Sequence, residues 1–118
     1  MTASSSNERF SATGNSFCIH EWRGSGPAIM HVHLADDEAW HVLEGKLRFR
    51  FADRSVDVDA GGTMFVPAGV AHTYEAIDAR YLIILTPKLD ALIKALQSEK
   101  DRGRHDAIYR AHDSEIVE

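Results

Sequence analysis

The sequence predicts an all-β domain, a sandwich or barrel, followed by a short helical extension. Between residues 16 and 86, short runs of alternating apolar and polar residues are separated by Gly, Pro and Asp. This pattern is typical of antiparallel strands that bury one face. After Thr86-Pro87 the spacing changes, because apolar side chains recur at the i, i+3, i+4 and i+7 intervals of an amphipathic helix, at Leu89, Leu92, Ile93 and Leu96.

Each predicted strand is a run bounded by turn residues. In the run Lys46–Phe51 the alternation is strict, so Leu47, Phe49 and Phe51 are expected to face the core. A tight turn is expected at Glu44-Gly45, where glycine allows a positive φ. The predicted strands are Phe17–Trp22, Ile29–Leu34, Glu38–Leu43, Lys46–Phe51, Ser55–Val58, Thr63–Val66, Val70–Ala76 and Arg80–Leu85.

The two ends of the chain differ in composition from the barrel region, residues 16–86. Residues 1–15 are rich in Ser, Thr, Asn and Gly, which predicts a flexible N-terminal arm. Residues 87–118 predict a C-terminal helical extension that packs on the barrel, with one helix over 87–100 and a short second helix over 106–112. Thr86 suits the N-cap and Pro87 the first position of the longer helix.

Size and charge exclude several classes of protein. A chain of 118 residues and 13.1 kDa forms one domain. The single cysteine, Cys18, excludes an internal disulfide and a cysteine-based zinc site. A net charge of −5 disfavours nucleic acid as a partner. No apolar run reaches the ~20 residues of a membrane span, and no secretory signal is visible, so a soluble cytoplasmic protein is expected.

Three histidines and one glutamate form a candidate metal centre. His31 and His33 lie two apart on a predicted strand and share one face. Glu38 begins the next strand, and antiparallel pairing of the two strands is expected to bring it beside them. His72 follows the Pro67-Ala68-Gly69 turn on a later strand. Such ligands suit one divalent transition metal ion, namely Fe, Mn, Ni, Co, Cu or Zn.

The spacing of these residues resembles the two sequence motifs of the cupin superfamily. His31-Val32-His33, four residues, Glu38, six residues and Gly45 match the first motif. Gly61, five residues, Pro67-Ala68-Gly69, two residues and His72 match the second. The closing Asn of the second motif is replaced by Ala76, and the leading Gly of the first is displaced by one position. The resemblance covers about residues 24–76.

This resemblance implies a jelly-roll β-barrel, a homodimer and a small-molecule ligand held at the metal. The first functional hypothesis is a metal-dependent enzyme, dioxygenase-like, acting on a small aromatic or enolic substrate. An apolar lining expected from Ile29, Phe65 and Tyr74 favours that substrate class over a sugar phosphate. The alternative is a non-catalytic metal-bearing binding or sensor protein, because no general acid or base is recognisable beside the ligands.

Other residues receive weaker interpretations. Tyr74 lies two residues after His72 on the same predicted strand, so its side chain is expected on the same face, and it is the one candidate catalytic residue. A hydrogen-bonded core tyrosine is an equally good interpretation. His41 is out of phase with Glu38 and is expected to face away from the metal. Cys18 is expected to be an inert buried thiol. The expected cavity walls are Trp40, Phe49, Phe65 and Ile83, and no constellation is expected around His20, His105 or His112.

Overall fold

The structure is a computed structural model that describes residues 3–5 and 8–117. In chain order its strands are β1 (Ser11–Thr13), β2 (Cys18–Trp22), β3 (His31–His33), β4 (Glu38–Arg50), β5 (Ser55–Asp59), β6 (Thr63–Val66), β7 (Thr73–Leu85) and β8 (Ser114–Ile116). Two helices, α1 (Pro87–Ser98) and α2 (His105–Ala111), and a 3-10 turn (Arg102–Arg104) lie between β7 and β8.

The strands form two antiparallel sheets of unequal size. The larger has the order β1-β2-β7-β4-β5, with β6 also paired to β4. The smaller consists of β3 and β8, and an isolated bridge between His31 and His72 connects it to the start of β7. This strand-rich antiparallel arrangement with its two C-terminal helices confirms the predicted jelly-roll fold.

The core lies on the inner faces of β4 and β7. Trp40, Leu47, Phe49 and Tyr81 are fully buried there. Leu47 and Phe49 face inward as their alternation predicts, whereas Phe51 is only half-buried. Edge-to-face packing of the Trp40 ring on Phe49, with centroids 4.9 Å apart, joins successive inward positions of β4.

The turn predicted at Glu44-Gly45 is wrong, because β4 continues through it. Shifts in the pairing with β7 mark a β-bulge between Val42 and Lys46. Gly45 has φ +72°, and a Cβ at this position would lie 2.1 Å from the carbonyl oxygen of Asp78. Glycine therefore lets the bulged strand approach its neighbour. The opposing irregularity at Asp78, with φ +47°, also joins two predicted strands into the continuous β7.

The chain ends contribute strands that periodicity alone did not indicate. Ser11–Thr13, placed in the predicted flexible arm, pairs with β2 as an edge strand. The arm's residues 1, 2, 6 and 7 lie outside the described residues. At the other end β8 pairs with β3, with Ser114 opposite His33. Three-residue strands are too short for alternation to reveal them.

The helical extension closes one side of the barrel. The Thr86 side chain caps α1 by accepting a hydrogen bond from the Leu89 backbone N–H at 3.2 Å. Leu89 and Leu92 are 1 % exposed and belong to the barrel core. Helix α1 ends at Ser98 and α2 begins at His105, each within two residues of the predicted bounds. None of the described helices is long and apolar enough to cross a bilayer.

Candidate metal centre

The structure brings His31, His33, Glu38 and His72 together inside the barrel. Each offers one ligand atom, and these atoms all lie within 4.8 Å of one another. The four residues are between 1 and 6 % exposed. His31 and His33 project from β3, and reciprocal backbone hydrogen bonds of 3.2 and 2.9 Å hold His72 beside His31.

Glu38 reaches the cluster by a different route from the one predicted. Direct pairing of its strand with the His31–His33 strand was expected, but β3 pairs with β8. Glu38 instead lies opposite Val66 in the β4–β6 ladder. The curvature of the jelly roll, rather than a hairpin, brings the carboxylate to the imidazoles.

Local backbone acceptors orient two of the three imidazoles. Nδ1 of His31 lies 2.9 Å from the Ile29 carbonyl oxygen, and Nδ1 of His72 lies 3.0 Å from that of Val70. Because a carbonyl oxygen only accepts, Nδ1 carries the proton in each ring. Nε2 of each neutral ring then presents a lone pair to the cluster, which is the state a metal ligand needs.

Ser114 orients the third imidazole. Its Oγ lies 2.7 Å from Nδ1 of His33 and donates to the His112 carbonyl oxygen at 3.2 Å. With its own proton committed, the hydroxyl accepts from His33 Nδ1–H, so Nε2 of His33 also presents a lone pair. Sequence reasoning missed Ser114, which lies 81 residues from His33 in the chain.

These assignments leave the Nε2 lone pairs of His33 and His72 facing the carboxylate oxygen of Glu38. Oε1 of Glu38 lies 2.9 Å from Nε2 of His33 and 2.7 Å from Nε2 of His72. Two acceptors at that distance require a shared cation, either a proton or a metal ion. Three neutral imidazole nitrogens and one carboxylate are a donor set that fits a divalent transition metal ion.

The protonation states of the cluster favour cation binding at neutral pH. Burial by itself would raise the pKa of Glu38, but when the shared cation is a proton on Nε2 of His33 or His72, the hydrogen bond that this proton donates to the carboxylate outweighs burial and lowers the pKa to about 2. Burial, reinforced by the neighbouring His72, lowers the pKa of His31 to about 4. Near pH 7 the carboxylate is therefore ionised and the His31 ring is neutral.

A cavity of about 570 Å³ opens from the cluster towards the helical extension. Ile29, Tyr74 and Ile83 line it, as the sequence predicts. Much of the remaining lining comes from the helical extension, namely Leu89, Leu92, Ile93, Leu96 and Tyr109. The four clustered residues therefore line a largely apolar cavity of the size that small-molecule sites have.

Three of the predicted wall residues lie elsewhere. Trp40 and Phe49 are buried in the core and do not line this cavity. Phe65 is 59 % exposed, because Val66 is the inward-facing member of that pair on β6. Phe65 was assigned to the cavity by its aromatic chemistry, and the aromatic side chains that do line the cavity are Trp22, Tyr74 and Tyr109.

Tyr74 lies in the cavity wall with its hydroxyl already partnered. Its oxygen lies 3.0 Å from that of Tyr81, whose hydroxyl donates to the Gly24 carbonyl oxygen. Tyr74 is therefore the donor to Tyr81. Burial raises the pKa of Tyr74 well above its ordinary value, with the neighbouring Tyr81 adding to the effect. The catalytic role considered for Tyr74 stays a prediction.

Two histidines for which no constellation was expected have defined partners. His20 lies on β2 with Nδ1 2.8 Å from Ser11 Oγ and Nε2 2.9 Å from Asp90 Oδ1. Lys94 is 2.9 Å from the other Asp90 oxygen, so this network joins β1, β2 and α1 and already contains a cation. His105 lines the cavity and donates from Nε2 to the Glu99 carbonyl oxygen at 2.8 Å. The expectation that Cys18 is buried is met.

Comparison with known proteins places the barrel in one family. The Cupin domain model matches residues 19–86. An uncharacterized protein of Streptomyces coelicolor is 34% identical over 55 residues, which are 45% of this chain and 52% of that protein. The match thus spans about half the length of that curated relative.

Solved structures share the fold. Protein NMB1881 from Neisseria meningitidis has a TM-score of 0.55 at 21% identity, covering 71% of this chain and 88% of its own. A cupin-2 domain protein from Shewanella frigidimarina has a TM-score of 0.52 at 25% identity, covering 74% and 84%. KdgF from Halomonas sp. has a TM-score of 0.55 at 15% identity, covering 69% and 79%. With the domain model matching most of the barrel, this chain belongs to the cupin family.

Proposed function

We propose that this cupin is a transition-metal-dependent enzyme that acts on a small aromatic or enolic molecule in a dioxygenase-like reaction. The observation that carries the proposal is the convergence of three Nε2 lone pairs and the Glu38 carboxylate in the wall of a largely apolar cavity. His31, His33, Glu38 and His72 would hold the metal ion. One divalent ion from Fe, Mn, Ni, Co, Cu or Zn suits these ligands, and the redox-active members fit the proposed reaction.

When bound, the metal ion supplies Lewis acidity and, if redox-active, a means of activating dioxygen. The protein's part is to hold the four metal-binding side chains in position and to keep a lone pair on Nε2 of each imidazole. The carbonyls of Ile29 and Val70 and the Ser114 hydroxyl hold the three rings in one tautomer and one orientation. Four protein ligands would leave room for a bidentate substrate at an octahedral ion.

The cavity wall supports an apolar, planar substrate. Ile29, Ile83 and Leu92 offer aliphatic surface, and the Tyr74 ring closes one side. Apolar residues of helix α1 and the Tyr109 ring add further apolar surface to the lining. A ring or enol of roughly 8–12 heavy atoms is within the range that a cavity of this class accepts.

A second candidate function is a binding or sensor protein that holds a metal and a ligand without turnover. The observation that favours it is the commitment of the Tyr74 proton to Tyr81. A phenol in that arrangement is not free to move a proton to or from a ligand. Both candidates use the same four metal ligands and the same cavity.

Oxygen uptake separates the two candidates. Iron-loaded protein is mixed with a panel of aromatic diols and enols, and dissolved oxygen is followed with an electrode. The enzyme is supported if oxygen uptake is lost in His72→Ala and retained in His41→Ala. His41→Ala serves as the control because the His41 ring is hydrogen-bonded to Thr63 at an exposed position. Tight binding across the panel with no uptake would favour the sensor. The homodimer implied by the family resemblance and the cytoplasmic location expected from the sequence stay predictions.

A further inference from the structure

We infer that Arg102 makes this cavity selective for molecules that carry a single carboxylate opposite their metal-binding end. The inference rests on the proposed function, because it takes the cluster as the anchor for one end of the molecule. The inference specifies what holds the other end of that molecule. The carboxylate would be held by the 3-10 turn between the two C-terminal helices, a part of the chain beyond the barrel.

Charge is distributed unevenly along the cavity. Among the described residues that line it, Arg102 is the only lysine or arginine and Glu38 is the only carboxylate. Glu38 is committed to the imidazoles of His33 and His72. The rest of the lining is mainly aliphatic and aromatic. A ligand that satisfies the whole cavity therefore has a metal-binding group, an apolar body and an anionic end.

The guanidinium of Arg102 is available for such a ligand. The acidic residues nearest in sequence, Glu99 and Asp101, form ion pairs with Arg104 at 3.5 and 3.7 Å. Asp101 also caps the turn by accepting from the Gly103 backbone N–H at 2.9 Å. Within the described part of the chain Arg102 forms no ion pair, so no protein carboxylate competes with a ligand for its guanidinium.

One guanidinium matches a carboxylate better than a phosphate. Its planar fork donates two parallel hydrogen bonds to the two carboxylate oxygens and balances a single negative charge. A phosphate monoester carries close to two charges at neutral pH and calls for further cations. The nearby Gln97 would add a hydrogen bond from its amide rather than a fixed charge.

The test compares acids with their uncharged esters on the full chain. The protein is loaded with zinc, which supports no redox turnover, and titrated calorimetrically with 3,4-dihydroxybenzoate, 3,4-dihydroxyphenylacetate and 3-(3,4-dihydroxyphenyl)propionate, each beside its methyl ester. The three acids place the carboxylate at increasing distances from the diol. At least one acid is expected to bind tenfold more tightly than its ester, a difference of about 1.4 kcal/mol.

Two matched variants assign the preference. Arg102→Gln is expected to abolish the acid preference while ester affinity and zinc content stay unchanged. Arg104→Gln, on the same turn but outside the cavity lining, is expected to keep it. Equal binding of acid and ester in the native protein, or a preference that survives Arg102→Gln, overturns the inference and leaves the proposed function standing. Failure of both acids and esters to bind zinc-loaded protein would instead overturn the proposed function, and the inference with it.

Discussion

The Ser114 hydroxyl lies 2.7 Å from Nδ1 of His33, although 81 residues separate them in the chain. The contact exists because the last strand, β8, pairs with β3 and places Ser114 directly opposite His33. Ser114 is fully buried and donates onward to the His112 carbonyl oxygen. The C-terminal extension therefore completes the hydrogen bonding of the candidate metal centre, in addition to closing the cavity.

Ser114→Ala is expected to weaken metal affinity about 10- to 100-fold, because Nδ1–H of His33 would lose the acceptor that fixes its tautomer. Competition with a chromophoric chelator measures the affinity. Ser98→Ala is the control, since that hydroxyl bonds to the Lys94 carbonyl on the exposed surface. Equal affinities for the two variants would show that His33 is oriented without Ser114.

Leu92→Ala is expected to lower the free energy of unfolding by about 2–5 kcal/mol, the range for removing a buried leucine side chain. Leu92 is 1 % exposed and joins α1 to the barrel core. Leu34→Ala, at a site that is 52 % exposed, is expected to change stability by less than about 0.5 kcal/mol. Chemical denaturation followed by circular dichroism provides both values. A Leu92 variant as stable as the control would mean that α1 does not pack on the barrel.

Gly45→Ala is expected to destabilise the protein by about 3 kcal/mol or more, since backbone strain and a steric clash add. The new Cβ would lie 2.1 Å from the Asp78 carbonyl oxygen at a φ of +72°. Gly61→Ala has a comparable φ of +89° with nothing within 4 Å, so only the left-handed cost of about 1–2 kcal/mol applies. Urea denaturation compares the two. Equal losses would contradict the close approach at the bulge.

Asp90→Asn is expected to cost about 1–3 kcal/mol at pH 7, the range for hydrogen bonds to a charged group. Burial alone would raise the pKa of Asp90, but hydrogen bonds from Lys94 and His20 outweigh it and lower the pKa in the folded state. Its contribution is therefore complete above the unfolded-state pKa of about 3.9 and is lost as pH falls below that value.

Unfolding curves of native protein and Asp90→Asn between pH 7 and pH 3 check this dependence. The difference in unfolding free energy is expected to be constant near neutrality and to shrink as the pH falls below about 4. A difference that stayed the same at pH 3 would mean that the Asp90 charge contributes nothing to stability.

Local patterns in the sequence predicted the barrel strands and the four clustered residues well. Strict alternation identified the inward positions of Leu47 and Phe49, and helical spacing identified Leu89 and Leu92. Features set by distant contacts were not predictable. Neither the Ser114–His33 contact nor the Asp90–His20 pair leaves a periodic signal, because each joins parts of the chain more than 65 residues apart.

Other misassignments arose where backbone geometry overrides local signals. Gly45 indicates a positive φ equally well in a turn and in a bulge, and only the pairing with β7 distinguishes them. Phe65 was assigned to the cavity by its chemistry, whereas the register of β6 against β4 turns it outward.

Metal content tests the central claim most directly. Protein purified without chelators is analysed by inductively coupled plasma mass spectrometry, beside His33→Ala, His72→Ala and the control His41→Ala, whose imidazole bonds to Thr63 away from the cluster. We expect close to one transition metal ion per chain in the native protein and the control, and a loss of most of it in the other two variants. Metal content that is unchanged in both His33→Ala and His72→Ala, or is absent from native protein even after incubation with each candidate ion, would contradict the account.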